Sequence, residues 1–300
     1  MEKHTVSASL TDNTKYMNRA LPVKKSFDII ERNLIIGGQN SAFYFIDGFT
    51  KDETMLKLMD SFLNISADDM PEDATSFSTS CIPYVEVDIL GDFDSIFKNL
   101  LSGVTCLFID GYEAAIAIDC RTYPSRSIEE PDKDKSLRGS RDGFVETIVF
   151  NTALMRRRIR DPHLIMEMYE AGTSTRTDVA LCYMSDRVDR ELLTTIQNKL
   201  EESKSQDLKM SQQSLAEALF QRKWYNPFPK YKFTERPDTA CACLMEGKVI
   251  LLTDTSPSAL ILPTSIFDMI EEANDYYFPP ITGIYLKISR VPVSYTHLRA

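Results

Sequence analysis

Three groups of residues could carry chemistry by type and spacing. Asp254-Thr-Ser-Pro257 follows an apolar run, Val249 to Thr253. A carboxylate there suits acid–base hydrolysis when a second one stands about 3 Å away and shares its proton. The first half of the chain offers Asp119-Cys120-Arg121, without a Thr-Ser pair to orient the carboxylate. A strand-ending turn is the better reading of Asp254-Thr-Ser-Pro257. Cys241-x-Cys243, read as strand, puts two thiols on one face. Zinc needs two further ligands, and no second pair is supplied. The third group is Arg156-Arg-Arg-Ile-Arg160, with Arg138 and Arg141 upstream. Cations suit a helix C-terminus. The same run could equally contact acidic subunit surfaces or anionic lipid.

Other chemistries have little to build on. The three histidines are His4, His163 and His297, two of them near the ends of the chain. The six cysteines show no CxxC spacing, as expected of free thiols in a reducing compartment. No phosphate-binding glycine loop, zinc-protease helix or nucleophile elbow is present, so no cofactor, no metal and no enzymatic activity is expected. The net charge of −10 disfavours nucleic acid as a partner, because phosphate neutralisation needs a clustered basic surface.

The elements that must position these groups follow from periodicity. Residues 1–25 are polar and read as a flexible arm, without the apolar core of a signal peptide. Ser41 to Asp47 is a continuous apolar run, a buried strand. Lys51 to Leu63 has helical spacing. Tyr84 to Ile89 alternates as a half-buried strand, and Phe93 to Ser102 is a helix closed by Gly103. Val104 to Ile109 and Ala114 to Ile118 form a hairpin through Asp110-Gly111. Asp142 to Arg160 is an amphipathic helix, and Pro162 and Gly172 bracket a second one, His163 to Ala171. Val179 to Met184 is a strand, followed by helices Asp189 to Leu200 and Ser211 to Phe220. Thr239 to Met245 and Val249 to Thr253 read as strands joined by Glu246-Gly247.

The two halves line up at a shift of 137, with Ala42 to Met55 on Val179 to Leu192 and Cys106-Leu107 on Cys243-Leu244. Asp254 to Pro257 then matches Asp119 to Pro124. The expected fold class is α/β, with two related subdomains joined by a central helical segment. The boundaries are an arm (1–25), a first subdomain (26–137), connecting helices (138–178), a second subdomain (179–280) and a tail (281–300). Two similar lobes often leave a cleft that suits a small ligand.

The central stretch is similar to a known family. Arg121-Thr-Tyr-Pro-Ser-Arg126, Glu130-Pro131, Arg138-Gly-Ser-Arg-Asp-Gly-Phe-Val-Glu146, Asn151-Thr-Ala-Leu154 and Arg156-Arg-Arg-Ile-Arg-Asp-Pro162 resemble the A-subunit family of bacterial spore germinant receptors, the GerA-type spore germination proteins. Thr234-Glu-Arg-Pro237, Asp254-Thr-Ser-Pro-Ser258 and Pro279-Pro280 extend the resemblance to about residues 24–290. It implies a soluble N-terminal region of two α/β subdomains ahead of a multi-pass part in the spore inner membrane, with this region on the cytoplasmic side. It also implies partner germination-protein subunits, a homo-oligomeric ion-conducting assembly, a small-molecule germinant as trigger and no enzymatic activity. A membrane span should begin after Arg290. The ten residues Val291 to Ala300 are too short and mixed to cross a core of roughly 30 Å, and read as non-native sequence at a truncation.

Arg138, Arg141, Asp142, Glu146, Arg156, Arg157, Arg158, Arg160 and Asp161 are therefore the expected assembly or structural polar network. A stand-alone two-lobed small-molecule binding module is the alternative reading, and a hydrolase built on Asp254 is a third.

Overall fold

Ser9 opens the first element. Its hydroxyl accepts the Asp12 N–H at the start of helix α1, Leu10–Ala20. Asn13, Met17 and Leu21, four residues apart, are buried. The stretch expected to be a flexible arm therefore contains a docked helix. Its buried stripe includes the polar Asn13, and Tyr16 beside it packs on Phe93 at 4.4 Å, so few apolar residues mark the helix in the sequence.

The computed structural model of the chain describes residues 4–50, 52–123, 142–204, 211–220, 230–265 and 268. The chain divides into two units, residues 1–125 with 156–166, and residues 126–155 with 167–300.

In the first unit, β1 (Ile29–Ile36) and β2 (Gln39–Ile46) form a hairpin through Gly37-Gly38, both with positive φ as a two-residue turn requires. Then come α2 (Asp52–Leu63), α3 (Ala74–Ser80), β3 (Val87–Leu90), α4 (Phe93–Leu101), β4 (Thr105–Ile109) and β5 (Ala115–Ile118). The antiparallel sheet has the order β1-β2-β4-β5-β3. Phe43, Leu107, Ile109, Ile116 and Ile118 pack with Leu58 and Phe62 of α2 and Phe77 of α3. Alternate residues take the opposite face, where the Phe108 ring meets Tyr44 at 5.8 Å and Phe93 of α4 at 6.2 Å. Covering both faces explains why the central strands are continuously apolar.

The second unit repeats this plan. Helix α5 (Ile148–Arg158) precedes β6 (Leu164–Ala171), β7 (Thr177–Met184), α6 (Arg190–Ser203), α7 (Ser211–Leu219), β8 (Lys232–Thr234), α8 (Pro237–Met245), β9 (Val249–Thr253) and β10 (Ala259–Leu262). The order β6-β7-β9-β10-β8 matches the first sheet strand for strand.

Hydrogen bonds fix the correspondence. The Leu10 N–H donates to Asp110 Oδ1 (2.9 Å), and the Ile148 N–H donates to Asp254 Oδ1 (3.1 Å). Asn13 clasps the Ser7 backbone through its N–H and carbonyl (2.9 and 2.6 Å), and Asn151 clasps Val145 likewise (2.8 and 2.6 Å). Ser41 pairs with Ile109 as Val179 pairs with Thr253. Early elements are thus 138 positions apart (10 to 148, 41 to 179) and late ones 144 (110 to 254, 109 to 253). A single shift of 137 serves neither, because the second unit carries six more residues between its halves. The counterpart of Asp254 is Asp110, not Asp119.

Two elements differ in type from expectation. His163 to Ala171 is not a helix: residues 164–171 form β6. The Pro–Gly bracket suits a helix, but pairing with β7 decides the outcome. Thr239 to Met245 is not a strand but most of α8, with Pro237 in its first turn. A short apolar run is ambiguous in period, and Pro237 at the first turn suits a helix start. Gly103 and Gly247, both at positive φ, end α4 and α8.

A Cβ on Gly103 would run into the Phe49 ring. Gly103→Ala is expected to cost about 1–3 kcal/mol in urea unfolding. Thr255 holds a positive φ of 63° where the first unit has Gly111 at 91°. Thr255→Gly is expected to raise the unfolding midpoint, since glycine adopts this backbone without strain.

Candidate functional site

The arginine run begins at the last turn of α5, and its first member is fully buried. Arg156 has 0% exposure. Its Nε donates to Asp28 Oδ2 (2.6 Å) and its Nη2 to Asp28 Oδ1 (3.2 Å), a two-point ion pair. Nη2 also donates to the Leu164 carbonyl (2.9 Å) and Ser26 Oγ (3.4 Å), and Nη1 to the Asp161 carbonyl (3.1 Å). Ser26 Oγ donates to Asp28 Oδ1 (2.5 Å) and accepts the Met166 N–H (3.0 Å). The Phe27 N–H donates to the Met166 carbonyl (2.9 Å). Taking two charges out of water is tolerated when the fork of donors is filled in this way. Lysine, with one ammonium point, could not fill five such positions. All these residues lie in the first unit.

The rest of the run looks outward. Arg157 is exposed, and its guanidinium sits 4.3 Å from the Tyr123 ring centroid. Arg121 lies 5.8 Å from the same ring and pairs with Asp119 (2.7 Å). Arg158 is half-buried and Arg160 exposed. Asp161 is half-buried, and its carboxylate accepts the His163 N–H (2.8 Å). Asp142 is half-buried. Glu146 is exposed, and its carbonyl accepts the Thr255 N–H (2.7 Å). Arg138 and Arg141 lie outside the described residues. Of the expected network, the structure brings Arg156 together with the Asp161 backbone. Ser26 and Asp28 complete that site, and sequence reasoning passed over both. They stand where the chain first becomes apolar, but nothing in a Ser-Phe-Asp triplet signals a partner 128 positions away.

The other candidates have structural employment. Asp254 ties the start of α5. Cys241 and Cys243 are buried on a helix, where residues two apart point in different directions, and Cys241 Sγ approaches the Met155 carbonyl at 3.9 Å. Among the described residues, no group of three His, Cys, Asp or Glu side chains could hold a metal. No helix among them is long and apolar enough to cross a membrane.

The model of the Bacillus/Clostridium GerA spore germination protein family matches residues 15–298. The chain belongs to this family. It is 33% identical over 95% of its length to Stage V sporulation protein AF of Bacillus subtilis, covering 58% of that protein. It is 28% identical over 98% of its length to Spore germination protein KA of the same organism, covering 54% of it. The uncharacterized membrane protein YfkQ, also from that organism, is 29% identical over 91% of the chain. This GerA-family chain therefore spans a little over half the length of each of these three relatives. Its fold is that of the crystal structure of the N-terminal domain of the A subunit of the Bacillus megaterium spore germinant receptor GerK3. The TM-score is 0.64 and the identity 22%, over 88% of this chain and 98% of that one.

Arg156→Met strands a buried carboxylate, and is expected to lower stability by about 3–5 kcal/mol in denaturant titration. Adding Asp28→Asn should recover part of that loss, a coupling that a double-mutant cycle measures.

Asp47, whose N–H donates to the Asp28 carbonyl (2.8 Å), has its carboxyl pushed above the ordinary value of 3.8. Burial is the largest cause; the Gly48 N–H acts against it, and the Asp28 and Asp52 charges add to it. The folded state thus holds this proton more tightly than the unfolded chain. Its contribution is greatest below the ordinary value and fades as pH rises through the raised one. Asp47→Asn should gain stability at about pH 7, and the gain should vanish in acid, as melting across pH would show.

Proposed function

We propose that this chain is the N-terminal α/β region of a spore germination membrane protein and acts in the germinant response without chemistry of its own. It works through assembly with other germination-protein subunits and further copies of itself. Assembly is coupled to ion release through a membrane part that follows in the whole protein, in the spore inner membrane. A small-molecule germinant, or the signal of another receptor, is the trigger. Membership of the GerA family and the relatives named for spore germination and sporulation support this reading. So does the fold shared with a germinant-receptor A-subunit domain.

The observation that carries the assembly reading is the division of labour within the arginine run. Arg156 is buried on Asp28 and fixes the backbone, while Arg157 and Arg160 face outward in a chain of net charge −10. A cation held on an aromatic ring and a rigid anchor is preorganised for a carboxylate surface, which lowers the ordering cost of binding.

Reversing both charges, Arg157→Glu with Arg160→Glu in the whole protein, is expected to reduce recovery of partner subunits after cross-linking in spores. Germination should slow while protein abundance stays unchanged. Wild-type assembly and germination would remove the interface role and leave the two arginines as surface charge.

A further inference from the structure

Strand β3 ends the first sheet and pairs with β5 alone among the described strands. The segment around Thr5 covers its open side only past Leu90, where Thr5 bridges Asp92. The side chains on and before this edge are not those of a protected one. Val85 is 97% exposed, and Tyr84 and Ile89 are exposed as well. Glu86 and Asp88 stand among them, also exposed. Neither carboxylate has an ion pair or hydrogen bond among the described residues. An open edge with apolar side chains is a surface for docking.

The charges decide what can dock. Antiparallel self-pairing about a two-fold axis sets residues of the same strand face opposite each other. Centred on Val87 it sets Glu86 against Asp88, and centred on Asp88 it sets Asp88 against itself. Like charges directly opposite destabilise a ladder. The edge therefore excludes its own copy and suits a cationic surface.

The same unit carries such a surface. Arg157 and Arg160 are exposed, and Arg157 is held on the Tyr123 ring. Neither has an ion pair among the described residues. Resting on the assembly reading above, we propose that the Glu86–Asp88 edge of one chain docks on the Arg157–Arg160 surface of a second copy. The two carboxylates pair with the two guanidiniums, and Val85 and Ile89 lose water in the same contact. The apolar contact supplies affinity, and the charges fix which surface is chosen.

Site-directed cross-linking of the whole protein in spore membranes tests this. One tagged copy carries Val85→Cys, and a co-expressed copy carries His163→Cys, an exposed position beside Arg160. A short bis-maleimide is the probe. The protein with its six native cysteines alone sets the background. The expected result is a tagged dimer above that background. Arg157→Glu with Arg160→Glu in the His163→Cys copy should lower its yield about fivefold or more. Adding Glu86→Arg with Asp88→Arg to the Val85→Cys copy should restore it. No dimer above background overturns the proposal, and so does a yield that ignores the reversal or is not restored by the exchange. If the reversal lowers recovery of partner subunits and no such dimer forms, the arginines meet a different subunit. The assembly reading then stands and this contact falls. A dimer that follows the charges while germination is unchanged upholds the contact and counts against the assembly reading alone.

Discussion

The buried ion pair between Arg156 and Asp28 constrains the first unit more than any other interaction described. A guanidinium at 0% exposure is tolerable only with its donors filled. Filling them draws the 26–28 strand entry, the 161–164 turn and the end of α5 to one point. Ser26 serves as donor to the carboxylate and as acceptor for the Met166 N–H, so loss of one group would leave several unpaired. Arg157, the next residue along, is exposed and lies over the Tyr123 ring.

A second, weaker constraint appears twice. In each unit an aspartate on a tight turn between two central strands accepts an N–H from the first turn of a helix. In each, an asparagine one turn further clasps the preceding backbone. The aspartates satisfy an open N–H at a helix start from across the chain, and the asparagines hold the segment that leads into the helix. They recur 138 and 144 residues apart although little of the surrounding sequence does. Hydrogen-bond geometry thus preserves the relation between the two α/β units where residue identity has drifted.

Much of this was legible from residue patterning. The strand at 41–46, the helix at 52–63 and the hairpin at 104–118 carry strong periodicity or an Asp-Gly turn, and each forms within a few residues of its expected place. The arginine run is visible as a run, but its split into one buried and several outward members is not. That split depends on Asp28, brought close by the fold alone. Strand β6 and helix α8 were misread for a shared reason. Each is a short apolar segment whose local signals fit both periods, and its sheet or helix neighbours made the choice. Helix α1 was hidden by the opposite problem, a polar surface around one buried stripe. In the second unit, six extra residues shift the register after α6 and obscure a repeat that the strand order makes plain.

The route of the polypeptide has a consequence for how such a region can be inherited. The chain contributes residues 1–125 to one unit, 126–155 to the other, returns for 156–166 and then leaves for good. Two of its crossing points, after residues 155 and 166, fall inside helix α5 and strand β6. No single cut therefore releases either unit whole. Cutting before α5 strips the first unit of Arg156, and cutting after β6 strips the second of the helix that Asp254 holds. The duplicated units are separable in topology but not in sequence, so recombination that shuffles whole domains elsewhere would here tend to pass them on together.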